Sequence, residues 1–269
     1  MKIPSLFLAF ALSLNVAVAQ TPEAPATTNA VTTPAIPPAP RIHPPGPVSS
    51  VTPKVPTTSP ESRGAGWEKH ALDNIAKSKT QADGIDVIFD GDSITYYWPA
   101  RGKAIWTERY AKLHPFDFAI SGDTTQSLLW RQANGQAQGL HPKLIVLMIG
   151  TNDMHYTSSP QDIADGVKTI IANYQKICPD AVILLQAIFP RGASATDPYR
   201  LKVKATNEIL AKLGDGTKVI YMDFGDKFLT PDGTLTKEIM PDFLHPSAAG
   251  YQIWADAIQP TIDKYFPAK

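Results

Sequence analysis

The sequence predicts an α/β fold: a three-layer α/β/α sandwich around a five-stranded parallel sheet. Three observations predict it. From Gly64 to the end, strand and helix patterns alternate five times, the signature of a parallel sheet with helices on both faces. Residues 144–149, Leu-Ile-Val-Leu-Met-Ile, are apolar at every position, as a central parallel strand covered on both sides requires. The stretch itself, about 205 residues, suits one α/β domain. Right-handed crossovers then make three layers the natural result.

Each element has its own signal. Residues 67–79 read as a first helix, with Trp67, His70, Ala71 and Ile75 on one face. Residues 85–89 are strand one, and 101–114 are helical, with Ile105, Trp106, Tyr110 and Leu113 at helical spacing. A short second strand, 116–120, runs into the turn Ser121-Gly122-Asp123-Thr124 and a helix to about residue 132. Asp123 followed by Gln126 resembles a capping box. After strand three, Ser159-Pro160 starts a helix whose buried stripe is Ile163, Val167, Ile170, Ile171, Tyr174 and Ile177. Strand four is 181–188, and the helix 199–213 stops at Gly214. Strand five is 218–222, residues 225–244 are loop-rich, and 247–265 form a closing helix facing inward with Tyr251, Trp254, Ile258 and Ile262.

Two segments precede this domain, which is taken as residues 63–269. Residues 1–19 read as a secretory signal: Lys2, an apolar core over 6–18, and Ala17-Val18-Ala19 as an A-x-A site with cleavage after Ala19. The expected location is therefore secreted or periplasmic, with no integral membrane segment in the mature chain. Residues 20–62 hold twelve of the 25 prolines, no aromatic residue and no apolar periodicity. Such a segment cannot offset its chain entropy and is expected to be a disordered, partly polyproline-II linker, reaching on the order of 100 Å. It reads either as a spacer for association with a cell wall or surface or as a remnant with no partner.

Lys plus Arg and Asp plus Glu balance at 25 each, which does not favour nucleic acid or an anionic membrane as partner. The single cysteine, Cys178, excludes an intramolecular disulfide and a cysteine-based zinc cluster.

Four polar clusters fall at one edge of the predicted sheet, where open α/β sheets bind ligands. They are Asp92-Ser93 after strand one, Gly122 after strand two, Asn152 after strand three, and Asp242-Phe243-Leu244-His245 before the last helix. A serine hydroxyl needs a base to take its proton as it attacks, and His245 is the best candidate. The imidazole needs a partner that fixes its tautomer, and Asp242, three residues earlier, suits that task. The Ser93 and Gly122 amides and the Asn152 side chain are three donors for an oxyanion. His155, shortly after Asn152, is a candidate for lining the pocket. Each residue alone also has a duller reading as a turn, a cap or a surface pair; their order along the chain carries the assignment.

The blocks Gly91-Asp92-Ser93-Ile94, Gly122 within Ser-Gly-Asp-Thr-Thr-Gln-Ser-Leu-Leu-Trp-Arg, Gly150-Thr151-Asn152-Asp153 and Asp242-x-x-His245 resemble those of the SGNH (GDSL-type) hydrolase superfamily. The resemblance covers residues 85–265. It implies a flavodoxin-like five-stranded sheet and ester hydrolysis through an acyl-enzyme, with no metal and no cofactor. The stretches 122–131 and Phe189-Pro190-Arg191-Gly192 look like the platelet-activating-factor acetylhydrolase-like, lysophospholipase-like branch, which favours short acyl groups. With a signal peptide and tether, the expectation is an exported esterase that removes acetyl groups from carbohydrates. Its partner would be a small-molecule or glycan ester. A lysophospholipase or arylesterase is the alternative within the superfamily. A carbohydrate-binding protein without turnover is the alternative from another class, with Tyr96, Tyr97 and Trp98 as a sugar platform. Asp92, Trp98 and His155 are accordingly taken as candidate substrate-binding residues.

Overall fold

A computed structural model of the protein describes residues 50–267. The predicted signal peptide and the linker up to residue 49 lie outside the described residues. The five strands are β1 (Val87–Gly91), β2 (Pro115–Asp117), β3 (Leu144–Met148), β4 (Val182–Gln186) and β5 (Val219–Met222). They form one sheet in the order β2-β1-β3-β4-β5, and every pairing is parallel. The sheet and its flanking layers match the predicted sandwich.

Alternation along each strand explains the two cores. Ile88, Ile145, Leu147, Ile183 and Leu185 join residues of α1 (Ala65–Lys79), α5 (Thr125–Ala133), α6 (Pro160–Ile177) and α7 (Pro198–Leu210). Val87, Phe89, Val146, Met148 and Leu184 instead meet α8 (Ala248–Tyr265) and the stretch from Ile94 to Leu113. Burying each such aliphatic side chain contributes roughly 1.5–3 kcal/mol.

Local signals were kept in several places. Ser159 caps α6 in a reciprocal capping box with Asp162 and with Pro160 at the first helical position. Gly214 follows α7 after one tight turn over Ala211–Leu213. All four residues expected to face inward from the closing helix are buried.

Other expectations need correction. After two short helices, α2 (Ser93–Tyr96) and α3 (Trp98–Arg101), the single helix expected over 101–114 is instead α4 (Lys103–Ile105), a π turn over Trp106–Tyr110 and a 3-10 turn over Ala111–Leu113. Trp106 and Tyr110 must share one small space with rings from β1 and α3: Phe89, Trp98, Trp106 and Tyr110 all lie within ring contact of one another. The cap of α5 is Thr124, not Asp123; its side chain accepts from the Ser127 amide. The Asp123 carboxylate is taken by long-range partners instead.

Within the described residues, the last stretch of the predicted linker lies along the domain. Thr157 N donates to Val51 O at 2.8 Å, Gln126 Nε2 to Val55 O at 3.3 Å, and Glu61 N to Gln126 O at 3.1 Å. Thr57 is 4% exposed and its hydroxyl donates to Asp162 O at 2.5 Å. Composition did not reveal this docking because it rests on hydrogen bonds, mostly with backbone groups, rather than on large apolar side chains.

Candidate active site

β1 ends at the sheet rim in Gly91, Asp92 and Ser93. A Cβ at Gly91 would sit 2.2 Å from Met148 O, so only glycine lets β1 and β3 close at this point. Asp92 caps α2, its carboxylate accepting from Ile94 N at 2.9 Å. Ser93 is therefore the first residue of a helix, and its amide has no intrahelical acceptor.

Ser93 Oγ lies 2.8 Å from His245 Nε2, and His245 Nδ1 lies 2.7 Å from Asp242 Oδ2. The second carboxylate oxygen accepts the amides of His245 at 2.8 Å and Leu244 at 3.1 Å. This turn brings two residues of one loop face to face, with Phe243 in the left-handed region at φ 58°. Phe243 O accepts from Gly192 N at 2.9 Å, which ties the loop to the segment after β4. Burial alone pushes the Asp242 carboxyl up, but bonds from the His245 ring and amide outweigh it and hold the pKa down at about 2. Tyr97 packs edge-on to the His245 ring, their centroids 5.7 Å apart.

The other two predicted donors meet at the next strand ends. Asn152 Nδ2 donates to Asp123 O at 2.9 Å, which fixes the amide plane and leaves its second N–H for a ligand. Gly122 sits in the adjoining turn with φ 83°. Arg191 Nη1 holds the strand-three loop through Thr151 O at 2.9 Å, and Asp153 accepts the Thr125 amide and hydroxyl.

Chemically, the arrangement can relay a proton from a hydroxyl to an imidazole whose far side is held by an ionised carboxylate. The family model of GDSL-like lipases and acylhydrolases matches residues 89–253. Platelet-activating factor acetylhydrolase IB subunit alpha1 from Rattus norvegicus is 33% identical over 178 residues, 66% of this chain and 74% of that protein. The chain belongs to the GDSL-like lipase/acylhydrolase family. The rat alpha2 subunit is 34% identical over 167 residues, 62% of this chain and 71% of that one.

Solved structures agree on the fold. A GDSL-like lipase from Bacteroides thetaiotaomicron has a TM-score of 0.60 at 19% identity, covering 73% of this chain and 97% of that one. An acetylxylan esterase from Geobacillus stearothermophilus has a TM-score of 0.52 at 19% identity, covering 69% and 95%. This GDSL-like protein is a carboxylic ester hydrolase.

The three candidate substrate-binding residues fare differently in this hydrolase. Trp98 is fully buried, its ring 4.0 Å from Trp254 and 5.1 Å from Tyr251, so it is core and not a sugar platform. Asp92 is 1% exposed and spent on its cap; burial pushes its pKa up to about 7. It lies beneath the rim rather than on it. His155 is exposed, with Nε2 3.5 Å from Arg191 Nη2 and its ring 5.5 Å from Tyr199. Partial desolvation of the ring, then the Arg191 and Lys202 charges, push its pKa down, favouring a neutral ring.

Sequence reasoning left three residues without a role. Arg131 is 1% exposed and binds Asp90 and Asp123, each at 2.9 Å; Gln136 and Tyr174 complete the cluster. Arg191 stood inside the Phe-Pro-Arg-Gly stretch, which was the only signal for it. Arg63 lay at the predicted domain boundary and carried no signal at all.

Proposed function

We propose that this chain is an exported serine esterase that removes acetyl groups from carbohydrates. The observation that carries the chemistry is the continuous bonded series Ser93–His245–Asp242 at the strand ends. In this reading Ser93 Oγ attacks the ester carbonyl carbon while His245 Nε2 takes the hydroxyl proton. The Ser93 and Gly122 amides and the free N–H of Asn152 stabilise the oxyanion. The intermediate collapses, the C–O bond to the alcohol breaks, and His245 returns the proton to that alcohol. Water then attacks the acyl-enzyme, giving its proton to His245, and the acid leaves as Ser93 regains its own. Asp242 holds the ring and stabilises the imidazolium.

The acetyl preference is supported by the similarity to platelet-activating factor acetylhydrolase subunits and by the fold shared with an acetylxylan esterase. Export is supported by the signal-like residues 1–19; no described helix is long and apolar enough to cross a membrane. The identity to the acetylhydrolase subunits favours one second reading, a lipid alcohol in place of a sugar. A panel of acetylated xylan, p-nitrophenyl acetate through decanoate, and an acetylated ether phospholipid separates them. The first reading expects the highest kcat/KM on acetylated xylan and a steep fall with acyl length; highest kcat/KM on the phospholipid would overturn it.

A further inference from the structure

We propose that Arg63, from the segment preceding α1, is a positioning residue that sets the direction of the Gly122 N–H. The inference rests on Gly122 being an oxyanion donor. Residues 120–123 form a β-turn, closed by Asp123 N donating to Ile120 O at 3.1 Å. Gly122 occupies the third position with φ 83°, the value of a type II turn. Types I and II differ by a half-turn of the central peptide, and glycine at this position tolerates both. That central peptide contains the Ser121 carbonyl and the Gly122 N–H, which point in opposite directions across one plane. A flip would therefore turn the donor away from its present side.

Arg63 Nη1 donates to Ser121 O at 2.7 Å. Holding that carbonyl holds the Gly122 N–H on the other side of the same plane. The same Nη1 reaches Asp123 Oδ1 at 3.1 Å, so the guanidinium brackets Gly122 from both neighbours. Asp123 is itself anchored by Trp67 Nε1 at 2.7 Å and Arg131 Nε at 2.9 Å. Arg63 Nη2 lies 2.6 Å from where a Cβ on Gly122 would be, so the glycine also makes room for its own clamp. Through Asp123 O the clamped turn meets Asn152, so two oxyanion donors share one support.

The delivery of Arg63 is built into the body of the domain. Segment 51–62 is bonded to Thr157, Gln126 and Asp162. A Cβ on Gly166 of α6 would lie 2.8 Å from Thr57 O, so α6 carries glycine where the segment crosses it. Arg63 lies outside residues 89–253, the part that the family model matches.

Steady-state kinetics of full-length Arg63→Met and Arg63→Lys on p-nitrophenyl acetate test this. Methionine keeps the length without a donor; lysine restores one donor for Ser121 O. Arg63→Met is expected to lose about 10–100-fold in kcat, with KM changed less than about three-fold. Binding of methylboronic acid, whose tetrahedral adduct on Ser93 is a boronate anion with a hydroxyl oxygen in the oxyanion position, should weaken by a similar factor. Arg63→Lys should recover part of both losses. Folded Arg63→Met with wild-type kcat and boronate affinity overturns the proposal, as does a loss confined to KM or to thermal stability. An error in the Ser93 assignment would show separately, as turnover retained by Ser93→Ala.

Discussion

Asp242 Oδ2 lies 2.7 Å from His245 Nδ1, and the same carboxylate accepts the His245 backbone amide. One side chain thus orients both the ring and the chain that carries it. Removing its charge while keeping its shape should expose how much of the chemistry depends on that pairing. Asp242→Asn is expected to lower kcat by about 10²–10⁴, since the amide can favour the wrong imidazole tautomer. Steady-state kinetics on p-nitrophenyl acetate at neutral pH measure it.

Because Asp242 is held at about 2, against 3.8 for a free carboxyl, its proton plays no part in the neutral pH profile. A general base acts only when unprotonated, so kcat/KM should fall as the pH is lowered; a flat profile from about pH 8 to about pH 5 would remove His245 as the base. The same depressed carboxyl contributes to stability above about pH 4, roughly 2 kcal/mol, and that contribution is lost as the pH falls toward 2. Denaturant titrations of wild type and Asp242→Asn should diverge above that window and converge below it.

Asp92 has the opposite sign. Its folded pKa is raised to about 7 from 3.8, first by burial and further by Asp123 and Asp153, so the native state keeps a proton that the unfolded chain gives up. Its contribution favours folding fully below about pH 4 and is lost as the pH rises to about 7. Asparagine caps helices as well and cannot ionise. Asp92→Asn should therefore gain stability relative to wild type as the pH rises through this window, by urea unfolding; a pH-independent difference contradicts the burial argument.

Trp98 separates packing from ligand binding. Its ring meets Phe89, Tyr110, Tyr251 and Trp254 with no exposed face. Trp98→Ala should cost about 3–5 kcal/mol in urea unfolding. Unchanged stability with weakened sugar binding would restore the platform reading.

Much of the fold and site was legible because its signals are local. The all-apolar 144–149 stretch, the Ser159 cap and the Asp242-x-x-His245 spacing each act over a few residues. The misreadings came where distant groups overruled local pattern. Asp123 looks like a cap, but Arg63, Trp67 and Arg131 converge on its buried carboxylate. Tyr96, Tyr97 and Trp98 look like a surface platform, yet the breaks between α2, α3 and α4 turn Trp98 inward. Helical periodicity cannot be read across segments so short. The docking of 51–62 was hidden by a composition that favours extended, unpacked chain. Arg63 escaped because its importance lies in which carbonyl it meets.

The most direct test of the central claim is the turnover of p-nitrophenyl acetate by Ser93→Ala. Ser93 is 5% exposed and its Oγ lies 2.8 Å from His245 Nε2; alanine keeps the backbone and removes that contact, so the fold should stay intact. The account predicts loss of at least about 10³-fold in kcat with an unchanged circular dichroism spectrum and melting temperature. Turnover near the wild-type rate in that folded variant would contradict it.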